Sequence, residues 1–495
     1  MTARKRRVPW PAALAAAGVA VLVFAVALYE GRFVIGPIPL DAVSLTVPLA
    51  LLACVPFARS RGRALITDTG LVGPALVFLG FALISVVAAG LTPETFLTFS
   101  RYLSYVLLVG ALALVTRDPF ARRFVMWAVA IAGTATVAYG GWWYVTTLLE
   151  VRAAAHGSAA PSMALRVVST FQNANFYGEF LVLLIAVTGY LAVTERRIGR
   201  WVAVAMGLGA VVMLLLTYTR GSWLGLIVAS AGVALCIAPR RAWVVIAAPL
   251  LAAMLSPSVQ ARLLSLRTID GSAAFRLRLW RIAGAVILSS PLTGTGIGTF
   301  YQAFTEAVQR DPSLSVGFEF YGAHNSYFTL LAETGVFGGF AFMVLIFTVL
   351  RIAVRALLDG TRTVQMRLEI GTIAAGLGAF ALNALTSNSF QHPQAAVFFW
   401  LLAGVLVGVV AGPPDSERDE REPAAASAAP RPARAWASIA ATSLTVQAGH
   451  RVAEVLLAWW LSSATRKMLV RPPARDGEWV SSSRVAQLVL GGRPR

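Results

Sequence analysis

Cysteine is almost missing from this chain: 495 residues include two, Cys54 and Cys236, and both stand inside apolar runs. Two isolated thiols support neither a disulfide framework nor a cysteine-based metal site. Charge is also scarce, at 13% of residues against about 25% in an average soluble domain. A Gly-rich Walker loop with its Lys and Ser/Thr is absent, which argues against ATP-driven export. There is no sustained internal repeat. What fills the chain instead is apolar: 57% hydrophobic residues and a mean hydropathy of +0.71 make it a polytopic membrane protein.

A hydrocarbon core about 30 Å thick needs roughly 20 apolar residues per crossing. The apolar runs place spans near residues 10–29, 36–57, 71–91, 96–116, 124–147, 176–194, 201–218, 222–239, 242–256, 325–350, 368–387 and 394–412. The expected fold is all-α, with about 12 transmembrane helices and a large outward-facing loop. Alternate loops carry the arginines: Arg4-Lys5-Arg6-Arg7, Arg59 to Arg63, Arg117 to Arg123, Arg196 to Arg200, Arg240-Arg241 and Arg351 to Arg367. The positive-inside rule makes these loops cytoplasmic, and an even number of spans puts both termini there too. The net charge of +19 then reports topology, and no nucleic-acid partner is expected. The basic start followed by an apolar run could be a secretory signal. It lacks a clear small-residue cleavage site before Tyr29-Glu30-Gly31-Arg32 and reads as a retained first helix.

A single transmembrane domain is expected over residues 1–412. Two of its outward segments are polar. The shorter, Val151–Asn175, holds Arg152, His156, Arg166 and the run Ser169-Thr170-Phe171-Gln172-Asn173-Ala174-Asn175. The longer, about 257–323, holds most of the outward arginines. Within it Ala273–Ser289 reads as an interfacial helix, ended by Pro291 and followed by the loop Gly294-Thr295-Gly296-Ile297-Gly298. From Gly412 the composition changes. Residues 413–434 read as a disordered cytoplasmic linker, and 435–495 as a cytoplasmic tail with an amphipathic helix, because His450, Arg451 and Glu454 interrupt a spanning reading.

Three outward residues could carry chemistry. Arg220, in the tight turn Thr217-Tyr218-Thr219-Arg220-Gly221-Ser222-Trp223, sits where an unpaired charge is expensive; it either snorkels to headgroups or binds an anion at a cavity mouth. Arg276 lies on the interfacial helix, and Arg278 and Arg281 point elsewhere on it because positions two and five apart share no face. His324 precedes an N-cap at Asn325 or Ser326, close to the positive end of a helix. That field and nearby arginines disfavour imidazolium, leaving either a neutral general base or a hydrogen-bonded structural histidine. His156 and His392 also face outward, in a flexible stretch and before Pro393. Asp311, Glu319 and Glu333 are too scattered for a paired-carboxylate metal site, and no acidic motif for a metal-bound nucleotide-sugar is visible.

The order of these elements resembles the O-antigen ligase and polymerase superfamily of bacterial envelope glycosyltransferases. The resemblance rests on Arg220-Gly221-Ser222-Trp223, Arg276 with Trp280, and Pro291 followed by Gly294-Thr295-Gly296-Ile297-Gly298 and Phe300. It continues with His324-Asn325-Ser326-Tyr327, Glu333-Thr334-Gly335 and the Phe171–Asn175 run, covering roughly residues 160–410. It implies a metal-independent, inverting transferase without a cofactor. The donor would be a glycan on undecaprenyl diphosphate, and the acceptor a lipid or saccharide hydroxyl such as lipid A-core, on the outer face of the bacterial inner membrane among its lipids. Arg220 and Arg276, with Arg278 in reserve, would bind the diphosphate. His324 would take the acceptor's proton, and Asn173, Asn175 and Asn325 would contact substrate. Ligase is favoured over polymerase because the late-loop arrangement looks like that branch. A transporter is the rival from another class, with Glu179, Arg101 and Asn383 as embedded polar groups.

Overall fold

The computed structural model describes residues 10–29, 32–35, 38–61, 70–154, 165–237, 271–315 and 322–411. Thirteen helices are described: α1 (Trp10–Leu28), α2 (Ala42–Arg61), α3 (Val72–Ala89), α4 (Pro93–Val115), α5 (Pro119–Ala154), α6 (Ala174–Thr194) and α7 (Ile198–Leu216). They continue with α8 (Arg220–Ile237), α9 (Gly271–Ser289), α10 (Phe300–Arg310), α11 (Ser326–Leu358), α12 (Val364–Asn383) and α13 (Pro393–Val410). One antiparallel hairpin departs from the all-α expectation: β1 (Arg32–Ile35) pairs with β2 (Ile38–Asp41). It takes up the first residues of the expected span 36–57, so α2 starts only at Ala42.

Nine of the described helices are long and apolar enough to cross a membrane: α1, α3 to α8, α11 and α13. Of the other expected spans, 36–57 corresponds to α2, whose apolar part Ala42–Phe57 is shorter and holds Pro48 and Pro56. The span 368–387 corresponds to α12, which includes Arg367 and Glu369. Both still pack in the bundle, α2 against α1 and α4, and α12 against α6 and α8. The expected span 242–256, His156, the linker 413–434 and the tail 435–495 lie outside the described residues.

Helix starts follow local chemistry. Thr92 and Thr95 form a reciprocal capping box ahead of α4, with Pro93 in the first turn, where its missing N–H costs nothing. Thr363 accepts from Met366 N ahead of α12, and Pro393 opens α13. Between helices in lipid, close backbone approach replaces hydrophobic burial as the source of tight packing. Gly221 and Gly225 supply that approach on α8: a Cβ at Gly225 would lie 2.7 Å from Ala379 O of α12, and one at Gly221 would overlap Asn383 Oδ1. α13 is the central post, with 89% of its membrane-length window buried, whereas α7 and α8 bury 17% each and form the periphery.

Residues 271–315, ahead of α11, are folded. α9 buries Leu279, Ile282, Ala283 and Val286 in a small core with Phe300 and Phe304 of α10 and Ala323 and Ala332 beside or within α11. Helix α10 was not expected from the sequence. Helix α11 is broken at Gly335 (φ 74°, ψ 173°), a left-handed conformation that glycine adopts without a Cβ penalty. The loop after α9 fills the break: Val336 N donates to Pro291 O at 2.8 Å, while Thr295 N and Gly296 N donate to Ala332 O and Glu333 O at 3.0 Å each. A Cβ at Gly294 would overlap the Glu333 backbone, and one at Gly335 would overlap Leu292 O. Two motifs some forty residues apart are therefore the two halves of one joint.

Candidate functional site

Arg220, Arg276 and His324 converge. They line one cavity of about 160 Å³ together with Arg166, Asn175, Tyr218, Thr219, Gly221, Phe275, Asn383, Thr386 and Ser387. The cavity is polar and is assembled at the start of α6, the start of α8, the first third of α9, the start of α11 and the end of α12. The other ends of α6, α11 and α12 hold the Arg-rich connections. There Arg123 binds both oxygens of Glu195, and Arg362 reaches Asp359 Oδ2 at 3.2 Å.

Arg220 is placed by the turn before it. Only Thr217, Tyr218 and Thr219 separate α7 from α8, and Tyr218 takes φ 50°, an uncommon left-handed conformation for a bulky residue. The turn is held from three sides. Trp223 Nε1 donates to Leu214 O at 2.9 Å, Thr219 Oγ1 donates to Ala174 O at 3.0 Å, and Arg166 Nε donates to Thr217 O at 2.8 Å. Arg220, half-buried and first in its helix, thus adds a guanidinium to the positive end of α8, a combination that favours bound anions.

Arg276 is set by the helix that carries it. Leu279 and Ile282 anchor α9 in the small core, and Trp280 packs edge-to-face on Phe328 of α11, centroids 5.6 Å apart. This rotation brings Phe275 and Arg276 to the cavity and leaves Arg278 and Arg281 exposed. Arg278, the reserve cation, is not among the cavity residues.

His324 also has a left-handed backbone, φ 48°. Histidine is among the non-glycine residues enriched there, and such strain persists only where the surroundings enforce it. The enforcing contact is Asn325, whose Oδ1 accepts from Tyr327 N and Phe328 N at 3.0 and 3.1 Å and so caps α11. The Phe275 ring stands edge-on to the imidazole, centroids 6.4 Å apart. Burial, and then the Arg276 charge, push the His324 pKa down to about 4, so the ring is neutral at physiological pH and its ring lone pair can accept a proton.

The three asparagines divide. Asn173 Oδ1 accepts from Asn175 N at 2.8 Å and caps α6, and Asn325 caps α11; neither lines the cavity. Asn175 does, with its Oδ1 accepting from Arg166 Nη2 at 2.7 Å. His392 stands apart from the cavity, its ring stacked on Phe176 at 3.8 Å. Arg166 was visible in the sequence only as one arginine of the shorter outward segment. Asn383 was read as an embedded polar group at the end of a span, and Thr386 and Ser387 only as the end of that span. No short-range signal ties these four to the cavity, because their placement depends on contacts between distant helices.

A cluster of arginines and one neutral histidine thus lies at one end of an apolar helical bundle, a placement of ionisable groups that marks a candidate functional site. Residues 201–343 match the family described as O-Antigen ligase. The match contains Arg220, Arg276 and His324, and it supports assignment to the O-antigen ligase family as a multi-pass bacterial membrane protein. The match supports a ligase- or polymerase-type membrane glycosyltransferase. No curated protein matches the chain.

Proposed function

We propose that the protein transfers a glycan from undecaprenyl diphosphate to an acceptor hydroxyl, with inversion and without a metal ion. The observation that carries this reading is the single cavity shared by three arginines and His324. Breaking the bond between the anomeric carbon and the diphosphate leaves negative charge on the departing lipid diphosphate. Arg220, Arg276 and Arg166 are fixed cations that stabilise that charge as it develops, and their fork geometry matches phosphate oxygens. The new bond forms from the acceptor oxygen to the anomeric carbon on the opposite face, and His324 takes the proton that the acceptor loses.

His324 and Arg276 are linked in this scheme. In the empty cavity the Arg276 charge opposes imidazolium. A bound diphosphate neutralises that charge and adds its own negative field, raising the basicity of His324 once the donor is seated. The base therefore strengthens when there is a reaction to perform.

The arginine-rich loops lie at the other end of the helices, which by the positive-inside rule supports a cavity that opens outside and termini in the cytoplasm. Transfer of a finished glycan to lipid A-core or a related acceptor fits this placement, and the ligase reading is preferred to chain polymerisation. The test is transfer by purified protein with a defined undecaprenyl-diphosphate glycan and several acceptors, in EDTA. Product should form with a lipid A-core acceptor and vanish in His324→Ala. Full transfer by His324→Ala, or its abolition by EDTA, would overturn the mechanism. Elongated lipid-linked glycan as the only product would make the protein a polymerase.

A further inference from the structure

Behind the cavity wall lies a carboxyl group that the proposed chemistry does not use. Glu179, on α6, is fully buried, and an ionisable group among membrane helices is costly enough to call for a function. Its Oε1 accepts from Asn383 Nδ2 at 3.0 Å and from Ser387 Oγ. Both partners line the cavity, and Glu179 does not. The Ser389 hydroxyl also stands beside this carboxyl, so the groups that Glu179 holds all come from the segment formed by the end of α12 and the residues just after it.

The consequence lies in the direction of one amide. Asn383 has a donor end and an acceptor end. Donating Nδ2 to Glu179 turns Oδ1 toward Gly221, close enough that any Cβ there would overlap it. The carbonyl end of the amide therefore faces the positive start of α8, beside Arg220, and complements it. Without an acceptor on α6 the amide is free to rotate, presenting its NH₂ end to the same positive helix end. The glycine of the Arg-Gly-Ser-Trp turn is explained by the same contact.

We infer that Glu179 is a positioning residue for the donor site: it fixes Asn383 and Ser387 from behind, and through Asn383 sets the wall on which Arg220 is placed. This rests on the diphosphate reading of the cavity. The experiment measures binding of undecaprenyl diphosphate to the purified full-length protein in detergent, by native mass spectrometry, alongside the KM for donor.

Glu179→Gln keeps an acceptor at the Oε1 position and should bind within about twofold of the parent. Glu179→Leu should weaken binding and raise donor KM about tenfold, the effect of one buried partner lost. Because both residues act through one link, Glu179→Leu with Asn383→Leu should be no weaker than the weaker single variant. Parent-like binding by Glu179→Leu, damage by Gln equal to that by Leu, or multiplied losses in the double variant would each overturn the inference. If Glu179→Leu fails to fold, Asn383→Leu carries the test from the other side, and parent-like binding there overturns it. An Arg220→Ala arm separates the two readings. If Arg220→Ala still binds the lipid diphosphate normally, the donor site itself is misassigned; if it alone loses binding, only the role of Glu179 fails.

Discussion

His324 combines a strained backbone, a partly buried ring and a cationic neighbour, and each has a measurable consequence. Replacing it by Ala or Gln should lower transfer by about 10² to 10⁴, the usual contribution of a positioned base, while binding of undecaprenyl diphosphate stays within a few-fold. The pH dependence follows from the depressed pKa. The base must be unprotonated, so activity is retained at neutral pH and is lost as pH falls through the pKa. For the free enzyme that pKa is about 4, so the acid limb of kcat/KM should lie near there. The acid limb of kcat should lie at higher pH, because the bound diphosphate offsets Arg276. Coincident limbs would show that donor and base are not coupled. Arg220 tests the fork itself: Arg220→Lys keeps a charge but loses bidentate geometry and should raise donor KM about tenfold, worth about 1.4 kcal/mol.

At the scale of elements, the site depends on close approach between α8 and α12. Gly225→Val places a branched side chain where Ala379 O stands 2.7 Å from a single Cβ. It should destabilise by about 1 to 3 kcal/mol and lower the thermal midpoint of the purified protein. A parent-like midpoint would mean the helices can separate without cost. This level also shows what the sequence could reveal. Runs of apolar residues located nine of the expected spans because each obeys a local length requirement, and the Arg220, Arg276 and His324 motifs named three cavity residues. What stayed hidden is contact between distant segments. Arg166 reaches the cavity through Thr217, 51 residues on, and Asn383 through Glu179, 204 residues away. The sequence could not separate Asn173 and Asn325, which cap helices, from Asn175, which lines the cavity, because a capping side chain and one that faces a cavity are the same residue type in the same kind of loop. The hairpin at 32–41 was missed because its short apolar strands continue into the apolar start of α2 and look like one span.

Among the described residues, the arginine-rich connections Arg117 to Arg123, Arg196 to Arg200 and Arg351 to Arg367 lie at the end of the bundle opposite the cavity. With Cys54→Ala and Cys236→Ala as background, a cysteine introduced at Arg310 should react with a membrane-impermeant maleimide applied outside intact cells, and one introduced at Thr361 should not. The reverse labelling pattern would place the cavity inside and exclude envelope glycan transfer on the outer face.

The broken helix has one more consequence. A continuous helix of 33 residues would be about 50 Å long, far more than the hydrocarbon core requires. Its interruption at Gly335 is locked by the Pro291–Gly298 loop, and His324 stands eleven residues before it (335 − 324). The joint therefore works as a ruler: it fixes the height of His324 along the helix. On the proposed reading, acceptor and sugar meet at the one depth where lipid carrier, arginines and His324 coincide.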